Sequence, residues 1–158
     1  MIISNTPGIV KKFKGTSWSF QTTFATPLKD LDNFVSTILS ANAPFEESSV
    51  TIGQIVFEPK NLIALLSAHA LPTEFQDDWS FTAKGKEQVY ELLRAALSDW
   101  VDFLCVPTPK PFVIYADHDE YTTFYADTKS NLNRVADALL AKGFKQISNY
   151  ERKFRSIT

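Results

Sequence analysis

Apolar positions in this chain follow two periods. Residues 17–24, 50–57, 113–115 and 122–125 are rich in β-branched and aromatic side chains and alternate enough for strands, since such residues suit a pleated, half-buried surface. Between these runs the period lengthens to that of a helix. Leu28, Leu31, Val35, Ile38 and Leu39 form one stripe; Thr26 and Pro27 supply an N-cap and a first-turn proline, and Asn42 and Pro44 end it. A second helix opens at Pro59, runs through Leu62, Ile63, Leu65 and Leu66 to about Ala70, and closes before Pro72. Residues 73–79 read as a loop entering a short extended piece at 80–82. Val89, Leu92, Leu93, Ala96, Leu97, Trp100, Val101 and Leu104 share one helical face, so the spacing predicts a single long amphipathic helix over 86–104.

Pro107, Pro109 and Pro111 forbid continued helix and lead into a β-hairpin over 111–126, whose turn holds Asp117, His118, Asp119 and Glu120. The last third predicts a helix over 129–142 with Leu132, Val135, Ala136, Leu139 and Leu140 inward, Gly143 as its C-cap, and a strand over 144–154. There is also an internal echo. Gln21, Thr22, Thr23, Phe24 and Ala25 before the first helix match Tyr121, Thr122, Thr123, Phe124 and Tyr125 before the last at their three central letters. The expectation is one α+β domain over 1–158, a mainly antiparallel sheet packed by amphipathic helices. If the echo is a repeated strand-helix-strand unit, the arrangement is a split βαβ, ferredoxin-like sandwich with a two-helix insertion.

Length and composition agree with one folded core: 158 residues, 44% hydrophobic and 22% charged. A chain of this size needs neither disulfide nor structural metal to be stable. Cys105 is the only cysteine and reads as a buried thiol at the apolar end of the long helix. The first residues lack the long apolar stretch of a secretory signal, and no run approaches the roughly 20 apolar residues of a membrane span, so a cytoplasmic protein without membrane association is expected. Charge is unevenly placed. Residues 1–14 hold three lysines and no acid, and residues 142–158 hold five basic residues against Glu151. With a net charge of -2, the middle therefore carries -9. An acidic balance argues against general nucleic-acid binding while leaving room for a basic patch built from both ends.

Familiar catalytic signatures are missing from the sequence. Five scattered glycines, Gly8, Gly15, Gly53, Gly85 and Gly143, make neither a phosphate loop nor a dinucleotide fingerprint, and no Gly-x-Ser-x-Gly elbow occurs. Two histidines without ligand spacing make a poor zinc site, so no metal, cofactor or catalytic residue is assigned. His69 sits among alanines and leucines and reads as a packed side chain. The turn cluster reads as solvated loop, as an acidic recognition surface, or as a metal or acid-base site with His118 held charged by its neighbours.

The reading adopted from these residues is a small intracellular binding protein, more a binder than an enzyme, that captures a protein partner with a basic surface as an immunity protein captures a toxin domain. The acidic groups Glu46, Glu47, Asp77, Asp78, Asp117, Asp119 and Glu120, with His118 and the aromatic anchors Trp79 and Tyr121, are expected to gather on one face. Three alternatives stand beside it: an enzyme with an unrecognised site around His118 and neighbouring carboxylates, a homo-oligomeric accessory protein such as a homodimer, and an RNA-binding module using Trp18, Phe20, Tyr115, Tyr125 and Tyr150 on an open sheet face.

Overall fold

The computed structural model describes residues 1–41, 45–76 and 78–154. In chain order the elements are β1 (Ile2–Asn5), α1 (Ile9–Lys14), β2 (Phe20–Ala25), a 3-10 turn (Leu28–Asp30) running into α2 (Leu31–Ser40), β3 (Glu47–Gln54), α3 (Lys60–Ala68), β4 (Trp79–Lys84), α4 (Gly85–Ser98), β5 (Asp102–Thr108), β6 (Val113–Ala116), β7 (Tyr121–Ala126) and α5 (Lys129–Ala141). Among the described residues the seven strands form one open sheet in the order β1-β4-β3-β5-β6-β7-β2, every neighbouring pair antiparallel. No described helix is long and apolar enough to cross a membrane.

The two faces of this sheet are covered differently. On one, α4 packs on β3 and β4, α5 packs on β2 and β7, α2 lies between those two helices, and α3 packs against α4. Strand pleating sends Phe24, Val50, Ile52, Phe81, Phe103, Cys105, Ile114 and Phe124 into this main core. The opposite face is polar toward one edge, where Thr6, Thr51 and Ser80 exchange hydroxyl bonds of 2.6 Å. Toward the other edge it is apolar: Leu104, Val113, Tyr115 and Tyr125 lie under Val10 and Phe13 of α1, with Trp18 and Phe154 against them. The aromatics expected on an open face are therefore mostly enclosed, Tyr115 and Tyr125 fully and Trp18 in part, while Phe20 packs against the main core instead; of the five only Tyr150 is exposed.

Three expectations need correction. The helix foreseen over 86–104 stops at Ser98, and Asp102–Thr108 forms the central strand β5, which places Cys105 in mid-sheet rather than at a helix end. Burial there pushes its thiol up to about 12, away from nucleophile chemistry. The strand foreseen over 50–57 lies three residues earlier, at Glu47–Gln54. Residues 144–154 form no strand: Phe144 is buried in the main core, Gln146 makes an isolated bridge to Phe24, and Arg152 and Phe154 then lie on the α1 face of the sheet, against Tyr115. The helix end expected at Asn42 and Pro44 falls outside the described residues.

The internal echo has a spatial counterpart. β2 and β7 pair side by side with Thr23 opposite Thr123, Phe24 opposite Thr122 and Thr22 opposite Phe124, so a local two-fold runs between the two threonines. Their hydroxyls share a 2.8 Å bond, and α2 and α5 pack against each other. The symmetry ends there. β3 follows α2 but lies four places from β2, and among the described residues α5 is followed by no strand, so they show no split βαβ arrangement.

Candidate functional site

The β6–β7 turn is built from residues that suit a tight loop and is then braced from outside. Asp117 Oδ1 accepts from the Asp119 backbone N–H at 3.0 Å, Glu120 takes a left-handed φ of 71°, and its carbonyl accepts from Thr26 N–H at 2.8 Å. Asp117 Oδ2 pairs with Arg152 Nη1, both side chains being nearly buried. Arg152 is fixed on every side. Its Nε donates to Thr123 Oγ1 at 3.0 Å and its Nη2 to the Tyr121 carbonyl at 3.3 Å. The guanidinium sits 5.2 Å from the Tyr115 ring centroid, and the Arg152 backbone N–H donates to Gln21 Oε1 at 2.8 Å. Burial, then the nearby Asp102 and Asp117 carboxylates, hold the Tyr115 hydroxyl protonated far above its ordinary range.

A second brace comes from the start of β5. Asp102 Oδ1 accepts from both the His118 backbone N–H at 2.9 Å and the ring Nδ1 at 2.8 Å, while Nε2 lies 3.7 Å from Asp119 Oδ1. The Asp102 hydrogen bond, aided by the surrounding carboxylates, raises the His118 pKa above 6.5. An imidazole oriented through Nδ1 is the posture of a general base, yet among the described residues no serine, threonine or cysteine side chain is hydrogen-bonded to it. Nor do any three His, Cys, Asp or Glu side chains among the described residues converge as a metal would require. The arrangement acts as a latch that ties the hairpin turn to the sheet.

The expected acidic residues do not share one place. Glu46 and Glu47 stand where β3 begins, beside Lys84 and Thr108, whereas the hairpin turn lies at the opposite end of the sheet, near Asp102 and Gln54. An eight-residue strand separates these ends by roughly 23 Å. Asp78 and Trp79 open β4 at the same end as the turn, about 14 Å away across three strand spacings. Trp79 is half-buried, its ring 6.2 Å from that of Phe81. Asp77 lies outside the described residues. Asp117 is neutralised by Arg152, so the exposed acids of the turn are Asp119 and Glu120, beside a ring pair in which Tyr121 and Tyr150 lie 5.0 Å apart.

Asp102 and Arg152 were not foreseen. Asp102 fell inside the supposed long helix, where its polarity in an apolar run was the available sign, and the Arg152 guanidinium meets its hydrogen-bond partners over 29 to 35 residues of chain, beyond the reach of local pattern. Compared with models of protein families, with curated proteins and with solved structures, the chain matches none.

Proposed function

We propose that this chain is a small binding protein that captures a basic protein partner at the sheet end carrying the β6–β7 turn, in the manner of an immunity protein neutralising a toxin domain. The observation that carries the reading is the double bracing of the turn. The Asp117–Arg152 and Asp102–His118 pairs fix its backbone while Asp119 and Glu120 project into solvent next to Tyr121 and Tyr150. A loop ordered before binding loses less entropy on association, and paired tyrosines beside carboxylates suit a cationic surface. Glu46 and Glu47 drop out of this surface because they sit at the far end of the sheet.

The test compares three versions of the protein as bait in lysate of the cell that makes it. Asp119→Lys with Glu120→Lys should cut capture of the partner about tenfold and reduce its dependence on salt, whereas Glu46→Lys with Glu47→Lys should leave capture unchanged. Equal capture by all three, or loss only with the Glu46 and Glu47 changes, would overturn the assignment of this surface.

A further inference from the structure

The two basic ends of the chain meet on the face of the sheet covered by α1. Between α1, the loop at Gly15–Trp18 and residues 151–154 runs a groove of about 820 Å³, lined by Lys11, Lys14, Trp18, Tyr125, Lys153 and Phe154, with the Asp78 and Glu151 carboxylates also on its wall. That volume lies within the range of small-molecule sites. Aromatic rings shape it: Trp18 stands 6.0 Å from Tyr125, and Lys14 Nζ lies 5.4 Å from the Phe154 ring centroid.

Two polar atoms set the groove apart from ordinary surface. The Tyr125 hydroxyl and the Trp18 Nε1–H are both buried and have no hydrogen-bond partner among the described residues, and Tyr125 as a whole is only 2% exposed. Buried donors of this kind are normally satisfied, and leaving one unsatisfied is costly. Both belong to side chains that line the groove, beside cations. Lys11 and Lys14 form no ion pair among the described residues, while Arg152 is committed to Asp117 and Lys153 lies 3.7 Å from Glu151.

We propose that this groove binds a phosphorylated nucleoside: a planar base against Trp18 and Phe154, the phosphate near Lys11 and Lys14, and the Trp18 Nε1–H and Tyr125 hydroxyl, both closed to solvent here, becoming donors to ligand oxygens as the side chains lining the groove part around the ligand. Stacking on aromatic rings, cations for the phosphate and buried donors for orientation are the three things such a ligand needs. The same chemistry is offered by a free nucleotide and by the 5′-phosphorylated end of a single-stranded RNA.

Calorimetric titration of the full chain with adenosine 5′-monophosphate tests the proposal, with adenosine and inorganic phosphate as partial ligands. Saturable binding of the nucleotide is expected, at least about tenfold tighter than either part alone. Tyr125→Phe removes one hydroxyl and no packing, so it should weaken nucleotide binding about tenfold without lowering the melting temperature. Lys14→Gln, on an exposed helix face, should weaken binding and flatten its salt dependence even if the tyrosine variant folds poorly. A short RNA with and without its 5′-phosphate separates the two sources: tighter binding of the phosphorylated RNA than of the nucleotide points to an RNA end, weaker binding to the free nucleotide. No saturable heat with the nucleotide at millimolar concentration, or unchanged affinity in Tyr125→Phe and Lys14→Gln, overturns the proposal.

Discussion

An arginine that is only 8% exposed needs a counter-charge and filled hydrogen bonds for its guanidinium, and Arg152 has both in Asp117, Thr123 and the Tyr121 carbonyl. Arg152→Ala would leave the Asp117 carboxylate buried without its partner. A loss of about 3 kcal/mol in denaturant unfolding is expected, with a markedly smaller loss when Asp117→Asn and Arg152→Met are combined. Equal losses would show that packing rather than charge is at stake. His118 provides the complementary pH test. Because Asp102 favours the imidazolium, the folded protein holds this proton more tightly than the unfolded chain. The resulting stabilisation is complete below the ordinary value of 6.5 and is lost as pH rises through the higher folded value. His118→Gln should therefore destabilise more at about pH 5.5 than at about pH 9. In NMR titration the ring should show a midpoint above 6.5 that falls in Asp102→Asn; equal destabilisation at both pH values would refute the latch.

Among the elements, three helices end in the same way. α5, α3 and α4 are each followed by a left-handed residue, Gly143 at φ 86°, Ala70 at 55° and Trp100 at 55°. The next N–H then reaches back five residues, from Phe144 to Leu139, Leu71 to Leu66 and Val101 to Ala96. The first end was legible because glycine alone adopts that conformation without strain. The second was legible through Pro72. The third carried neither sign, which is why the apolar stripe of α4 was extended through Val101 to Leu104 and the central strand was missed. Two further features explain the stop at Ser98. The run after Trp100 is rich in strand formers, and the Asp99 carboxylate accepts from Asn61 and Leu62 N–H at 3.2 and 2.7 Å, capping α3 from across the fold. A non-glycine residue in the left-handed region costs about 1–2 kcal/mol, more than the backbone entropy glycine loses, so Ala70→Gly on this exposed turn should stabilise the protein by about 0.5 kcal/mol. A higher denaturation midpoint at unchanged slope is the expected result; a lower one would mean that the helix end relaxes away from this geometry.

For the whole molecule, strand order decides which distant segments become neighbours. β2 and β7, a hundred residues apart, pair about Thr23 and Thr123, and this places α2 beside α5 and gives the local two-fold hinted at by the repeated Thr-Thr-Phe. The same order sends Glu46 and Glu47 to one end of the sheet and the β6–β7 turn to the other, and it brings Lys11 and Lys14 to the same groove as Lys153. What the sequence by itself determined was whatever local periodicity and backbone chemistry can fix: the α+β class, the hairpin, the helices near residues 31, 60, 85 and 129, and the glycine stop at Gly143. Only the tertiary structure decided that Asp117 is neutralised, that His118 is latched to Asp102, that the aromatic face is covered and that the basic ends converge. Each of those depends on contacts between segments far apart in the chain, and their pairing is set by competition for burial across the entire sheet, a quantity that no local window of residues contains.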